Sequence, residues 1–365
     1  MKKNLLIVAT GGTIAGAAAS ATQTVGYRAG ALPVTALVDA VPGLADLAAL
    51  ATEQPFAIGS EDLCSSHWLT LAGRLRAALA DPAIDAIVIT HGTDTLEETA
   101  FFLDLVLTPA KPVVLTGAMR PATALGADGP ANLAAATRFA LAAAGNGAAA
   151  GRPRGVLVAF NDCAWSAATV RKVRTTRIDA FDGGDSAPVA ALLSETVVWR
   201  DGAGDDSRDD GSNDSDSSNG SDGARDDRPG ARSGRFAALP LTDPLPAVAL
   251  IWQHVDCDQA IVDWHLGRGV AGLVLAGTGN GTMPATMRAA LARASRAGCR
   301  VVRASRVAAG PVIRNAEADP ADRDDALGFI AAGWLGPLKA RLLLQCALAA
   351  GLAPAAIQRA FDDYR

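Results

Sequence analysis

The chain has 365 residues, 50% of them hydrophobic and 19% charged, with a formal net charge of −5 and a pI near 5.4. That length supplies two domains with substantial cores, while the acidic balance and scattered arginines exclude the basic stripe that nucleic-acid binding requires. Five cysteines, Cys64, Cys163, Cys257, Cys299 and Cys346, form no CxxC pair, so they read as reduced packing residues; neither a zinc site nor any other metal or cofactor is expected.

Met1-Lys2-Lys3 before Leu5-Leu6-Ile7-Val8 imitates the opening of a secretion signal, but the apolar run is short and enters Thr10-Gly-Gly-Thr13 with no cleavage site. It reads as a first strand. Strand-like runs then alternate with helical ones. Asp85 to Thr90, Pro112 to Thr116 and a run ending at Phe160 are separated by helical patterns at Trp68 to Ala80, Leu96 to Leu107 and Ala131 to Ala144. Such β-α alternation predicts an α/β fold, with a mainly parallel doubly wound sheet in a larger N-terminal domain. Asp94 three residues before Glu97 reads as a capping box, and Pro130 occupies a first-turn position.

Between Arg200 and Arg235 the composition turns to Asp, Ser, Gly, Asn and Arg. This acidic segment cannot bury enough surface to fold, and it is expected to be a disordered insertion at the end of a domain spanning residues 1–235. A proline-punctuated linker covers 236–246. Residues 247–365 then resume the alternation: strands at Ala247 to Trp252, Gly272 to Ala276 and Cys299 to Ala304, helices near Gln259 to Arg268 and Pro284 to Gly298. Two closing helices, Pro337 to Ala350 and Pro354 to Tyr364, each open on a proline. This is a second, smaller α/β domain. The alanine-rich stretches carry Arg, Asp or Gly within a bilayer's length, so no membrane span is expected. The cytoplasm is the default compartment, with the periplasm the alternative for a chain that has lost a leader.

The first strand delivers Thr10-Gly-Gly-Thr13-Ile-Ala-Gly16, the second His91-Gly-Thr93-Asp94-Thr95, and the third Gly117-Ala-Met-Arg-Pro121. Strand ends of this kind meet at the carboxyl edge of a sheet, where open α/β proteins bind ligands. Attack of a hydroxyl on a carbonyl needs a nucleophile, a proton acceptor and donors for the developing oxyanion. Thr13 is the candidate nucleophile, and Thr93, Asp94 and Lys172 supply a second hydroxyl, a carboxylate and an amine. Taken singly, Thr13 reads as a backbone cap, Asp94 as an N-cap, Lys172 as a solvated charge and His91 as a structural hydrogen-bond partner. Only the constellation points to chemistry. Neither glycine cluster, at Thr10 to Gly16 or Gly277 to Gly281, fits a nucleotide-binding frame.

Ala9 to Gly16 together with Ile89-Thr-His-Gly-Thr-Asp-Thr-Leu-Glu-Glu-Thr-Ala-Phe-Phe-Leu103 closely resembles the two signatures of the bacterial L-asparaginase family, which includes glutaminase-asparaginases. Gly117 to Pro121, Ala127 to Leu133, Val301 to Val307 and Lys339 to Gln345 resemble further family blocks. The resemblance implies hydrolysis of L-asparagine to L-aspartate and ammonia through a threonine acyl-enzyme, with L-glutamine as a secondary substrate. It implies Thr13 as nucleophile with Tyr27 on the loop after it, and Thr93, Asp94 and Lys172 as the second catalytic cluster. Ser60 and Glu61 match the pair that grips the substrate, Ala118 matches a backbone contact, and Asn280 and Glu317 match residues lent to a neighbouring subunit's site. The implied working form is a homo-oligomer, a tetramer built as a dimer of dimers. Many members carry Gln where this chain has Glu61, and Tyr27 is placed only by the Gly-Tyr-Arg-Ala-Gly30 pattern. The alternatives are an ammonia-releasing amidase subunit of an amidotransferase and a non-catalytic amino-acid sensor.

Overall fold

The computed structural model describes residues 2–145, 155–200, 233–241 and 244–364, so most of the Arg200 to Arg235 insertion lies outside the described residues. Its eight-stranded sheet begins with β1 (Asn4–Ala9), β2 (Ala49–Glu53), β3 (Ala86–Thr90), β4 (Val113–Thr116), β5 (Val156–Phe160) and β6 (Cys163–Ser166). A short hairpin, β7 (Arg171–Lys172) and β8 (Phe181–Asp182), stands apart, and β9 (Ala190–Leu193) and β10 (Thr196–Trp199) return to the sheet edge. The order is β10-β9-β6-β5-β4-β3-β1-β2. The pairs from β2 to β5 are parallel, as the alternation predicts, but β6, β9 and β10 add antiparallel edges. The sheet is therefore mixed.

Side-chain alternation explains why the central strands read as unbroken apolar runs. Leu5, Ile7, Val88, Val114 and Leu157 point into a core beneath the Val34–Asp39 and Gly129–Gly145 helices. Leu6, Val8, Ile87, Ile89, Val113, Val156 and Val158 point to the opposite core, under the Ser65–Ala80 and Leu96–Val106 helices. A strand covered on both faces has no polar side to show. The Ser65–Ala80 helix starts three residues ahead of the expected Trp68, because the Cys64 N–H donates to His67 Nδ1 at 3.2 Å and secures an extra turn.

The C-terminal unit is a four-stranded parallel sheet of β11 (Val248–Trp252), β12 (Gly272–Gly277), β13 (Arg300–Ser305) and β14 (Phe329–Ala331). Its outer face packs on the Ala260–Gly267 and Ala285–Arg296 helices. Its inner face is covered by the Pro337–Ala349 helix, which opens on its proline as expected. Leu342, Leu343 and Ala347 of that helix share one continuous core with Phe101, Phe102 and Leu105 of the Leu96–Val106 helix. The two units are thus joined through an apolar helix-on-helix contact.

Candidate active site

Register places the strand ends together. Ala9 pairs with Thr90, and Thr90 with Thr116, so the segments beginning at Thr10, His91 and Gly117 leave the sheet at one edge. Two of these loops touch through glycine. A Cβ on Gly12, whose φ is +78°, would stand 2.2 Å from the Gly92 Cα, so only a pair of glycines lets the loops pass at this distance. Between them opens a cleft of about 300 Å³ lined by Thr13, Tyr27, Ser60, Glu61, Thr93, Asp94 and Lys172, and by Thr24, Val25, Met119, Thr175 and Thr176.

Thr13 opens a single-turn helix and is nearly buried, its Oγ1 2.6 Å from the Tyr27 hydroxyl. The loop that carries Tyr27 is pinned by reciprocal hydrogen bonds between Ala17 and Arg28 and by Gly30 N–H donating to Gly12 O at 3.0 Å. Burial raises the Tyr27 phenol above its usual range; the hydrogen bond with Thr13 opposes this, and the Asp94, Glu61 and Asp128 carboxylates add to it. Tyr27 therefore stays a neutral hydroxyl at neutral pH.

Across the cleft, Lys172 Nζ donates to Thr93 Oγ1 at 2.9 Å and to Asp94 Oδ1 at 2.5 Å. The capping reading of Asp94 is corrected here. Thr95 is the N-cap of the Leu96–Val106 helix, without a side-chain cap bond, and the Asp94 carboxylate turns to Lys172 instead. Ser60 is buried and accepts from the Asp94 N–H at 3.1 Å, while its carbonyl accepts from Thr95 Oγ1 at 2.9 Å. Ser60 and Asp94 are thereby fixed as a unit, with Glu61 beside them.

His91 is wholly buried, its Nδ1–H donating to Gly92 O at 2.7 Å, and burial pushes it down to about 4. It is a neutral structural donor at neutral pH. Asp128 holds the Met119 and Arg120 N–H groups at 2.9 Å, which fixes the third loop; Ala118 is buried behind it, and Met119 is the neighbour that reaches the cleft. Among the described residues no group of three His, Cys, Asp or Glu is placed to hold a metal ion.

The N-terminal asparaginase domain model matches residues 4–203 and the glutaminase/asparaginase C-terminal domain model matches residues 247–361. The chain belongs to the asparaginase family. It is 37% identical over 361 residues to L-asparaginase 2 of Escherichia coli strain K12, covering 99% of this chain and 93% of that protein. It is 36% identical over 365 residues to the glutaminase-asparaginase of Acinetobacter glutaminasificans, covering 100% of both. A crystal structure of the probable cytoplasmic L-asparaginase from Campylobacter jejuni superposes with a TM-score of 0.83 at 36% identity, over 100% of each chain.

Two of the residues singled out by the asparaginase resemblance stand away from this cleft. Asn280 and Glu317 belong to the C-terminal unit and do not line it. Asn280 Oδ1 accepts from Ile313 N–H at 2.7 Å, and its carbonyl accepts from Arg303. Glu317 lies 4.0 Å from Arg288. Sequence reading missed Thr24, Thr175 and Thr176, since threonines in a loop carry no periodic signal.

Proposed function

We propose that this asparaginase-family protein hydrolyses L-asparagine to L-aspartate and ammonia, with L-glutamine as a secondary substrate. The reading is carried by the convergence of two hydroxyls, Thr13 and Thr93, each with its own hydrogen-bonding partner, on opposite walls of one cleft. Thr13 Oγ1 attacks the side-chain amide carbon, the carbon–nitrogen bond breaks, and the hydroxyl proton leaves with the ammonia. Tyr27, neutral and 2.6 Å away, relays that proton and keeps Thr13 oriented. Water then adds to the ester beside Thr93, with Lys172 and Asp94 completing the proton path, and Thr13 is restored. Asp94 and Glu61 receive the substrate ammonium, and Ser60 its carboxylate. The Ala118 main chain backs the amide.

Asn280 and Glu317 of one protomer complete the cleft of a neighbour, so the working form is a homo-oligomer, a tetramer of paired dimers. No helix of the described residues is long and apolar enough to cross a membrane. The Campylobacter protein is named cytoplasmic and a 37% identical Haemophilus influenzae relative periplasmic; we assign the present chain to the cytoplasm. The test is ammonia release from L-asparagine and L-glutamine by wild type and Thr13→Ala. Loss of the nucleophile lowers turnover by at least about 10³-fold with the unfolding midpoint unchanged. A Thr13→Ala variant of undiminished rate overturns the assignment.

A further inference from the structure

Lys172 sits on a strand of two residues, β7, outside the main sheet and paired only with β8. So short an element cannot hold its own position, yet Lys172 Nζ meets both Thr93 and Asp94 at hydrogen-bonding distance. What holds it comes from a C-terminal helix that packs on an N-terminal one. On the C-terminal side, Lys339 in the first turn of the Pro337–Ala349 helix is buried and extends its amine to Ala168 O at 3.0 Å and Val170 O at 2.5 Å, just before the strand. The Arg171 guanidinium rests near Gly336, immediately before that helix. On the N-terminal side, the Glu97 and Asp104 carboxylates both favour the charged form of the Lys339 amine. Glu97, Phe101 and Asp104 share one face of the Leu96–Val106 helix, and the Lys339 amine lies 5.9 Å from the Phe101 ring centre.

We propose that Lys339 is a positioning residue, an interdomain clamp that sets the place of Lys172 in the cleft. The amine holds the chain before the strand by its carbonyls. Burial lowers Lys339 to about 7, the Glu97 and Asp104 carboxylates opposing this and Arg171 adding to it. Near neutrality much of it is therefore an uncharged amine with two N–H donors, the number of carbonyls it meets. The C-terminal domain thereby acts on catalysis within its own chain, separately from any residue lent to a neighbour.

This inference rests on the amidohydrolase reading of Lys172, and a double-mutant cycle separates the two. Lys339→Met, Lys172→Met and the double variant are assayed for ammonia release from L-asparagine at saturation. Lys339→Met alone lowers kcat by about 10- to 100-fold, the usual cost of losing a group that orients a reacting one. In the Lys172→Met background the same change has no further effect. An equal fold-loss in both backgrounds means a merely structural role and overturns the clamp, whereas full activity in Lys172→Met overturns the functional reading. Hydrogen exchange over residues 166–174 supplies a readout independent of activity: Lys339→Met exchanges faster there, with the Leu96–Val106 helix still protected. Unchanged exchange overturns the clamp.

Discussion

The buried Lys339 amine makes stability depend on pH in a direction opposite to that of a paired surface lysine. Burial lowers it from 10.5 to about 7, so between those values the unfolded chain binds the proton that the folded chain refuses. Stability therefore rises as pH rises through this window, because the unfolded state holds more protons there. With those two pKa values, ionising the unfolded lysine costs the fold about 4 kcal/mol at pH 7 and about 1 kcal/mol at pH 10. Lys339→Met removes this pH-dependent cost and introduces a pH-independent one, since the Ala168 and Val170 carbonyls lose their donor, at about 1–3 kcal/mol each. The wild-type advantage over Lys339→Met thus grows by about 3 kcal/mol from pH 7 to pH 10. Groups that titrate alike in both proteins cancel, and Asp104, pushed up to about 6 by burial, is mostly ionised throughout. Urea unfolding at the two pH values and a fixed protomer concentration measures the gap. Parallel stability curves would show that Lys339 keeps its proton in the fold, and would refute the reasoning.

Two further substitutions test the C-terminal loops that Arg303 fixes and the cleft itself. Asp324→Ala strands the buried Arg303, which it contacts at 2.7 Å through two nitrogens, and leaves the Asn315 N–H without its acceptor. The expected loss, read by urea unfolding, is about 3–5 kcal/mol, and a drop below 1 kcal/mol would mean that water reaches the guanidinium. Glu61→Gln removes one carboxylate from the cleft and is expected to shift the asparagine-to-glutamine rate ratio by about tenfold, the size of one charge-assisted hydrogen bond; an unchanged ratio assigns Glu61 no part in selectivity.

The sequence made the loops of the cleft visible because their cause is local. An apolar strand that stops at Gly11-Gly12 or at His91-Gly92 has one place to go, and the register of β1, β3 and β4 puts those ends side by side. Lys172 was legible as a chemical group and not as an element. A two-residue strand has no period to detect, and its position depends on residues some 80 and 170 places away. Asp94 was misread for a related reason: its spacing from Glu97 satisfies a capping rule, yet a lysine remote in sequence competes for the same carboxylate and wins with a charged hydrogen bond. The antiparallel strands β6, β9 and β10 have 4 residues each and are partly exposed, so their apolar runs are shorter than those that mark β1 and β3.

The two buried basic side chains, Lys339 and Arg303, point to a shared physical need. Apolar contact between the Leu96–Val106 and Pro337–Ala349 helices supplies cohesion between the domains, but hydrophobic burial is non-directional and resists a small slide only weakly. Lys339, aimed at two carbonyls, resists the slide because displacement leaves those groups unsatisfied in a dry environment. Arg303 does the same inside the C-terminal domain. One side chain, 2% exposed, is paired with Asp324 and also holds the Asn280 and Ile313 carbonyls, fixing the segment that leads to Glu317. Each of these side chains ties down a stretch of irregular backbone that carries a candidate site residue. A methionine of similar length would fill either space and leave that backbone free to move, so the polar core residue is explained by where the loops must stand rather than by net stability.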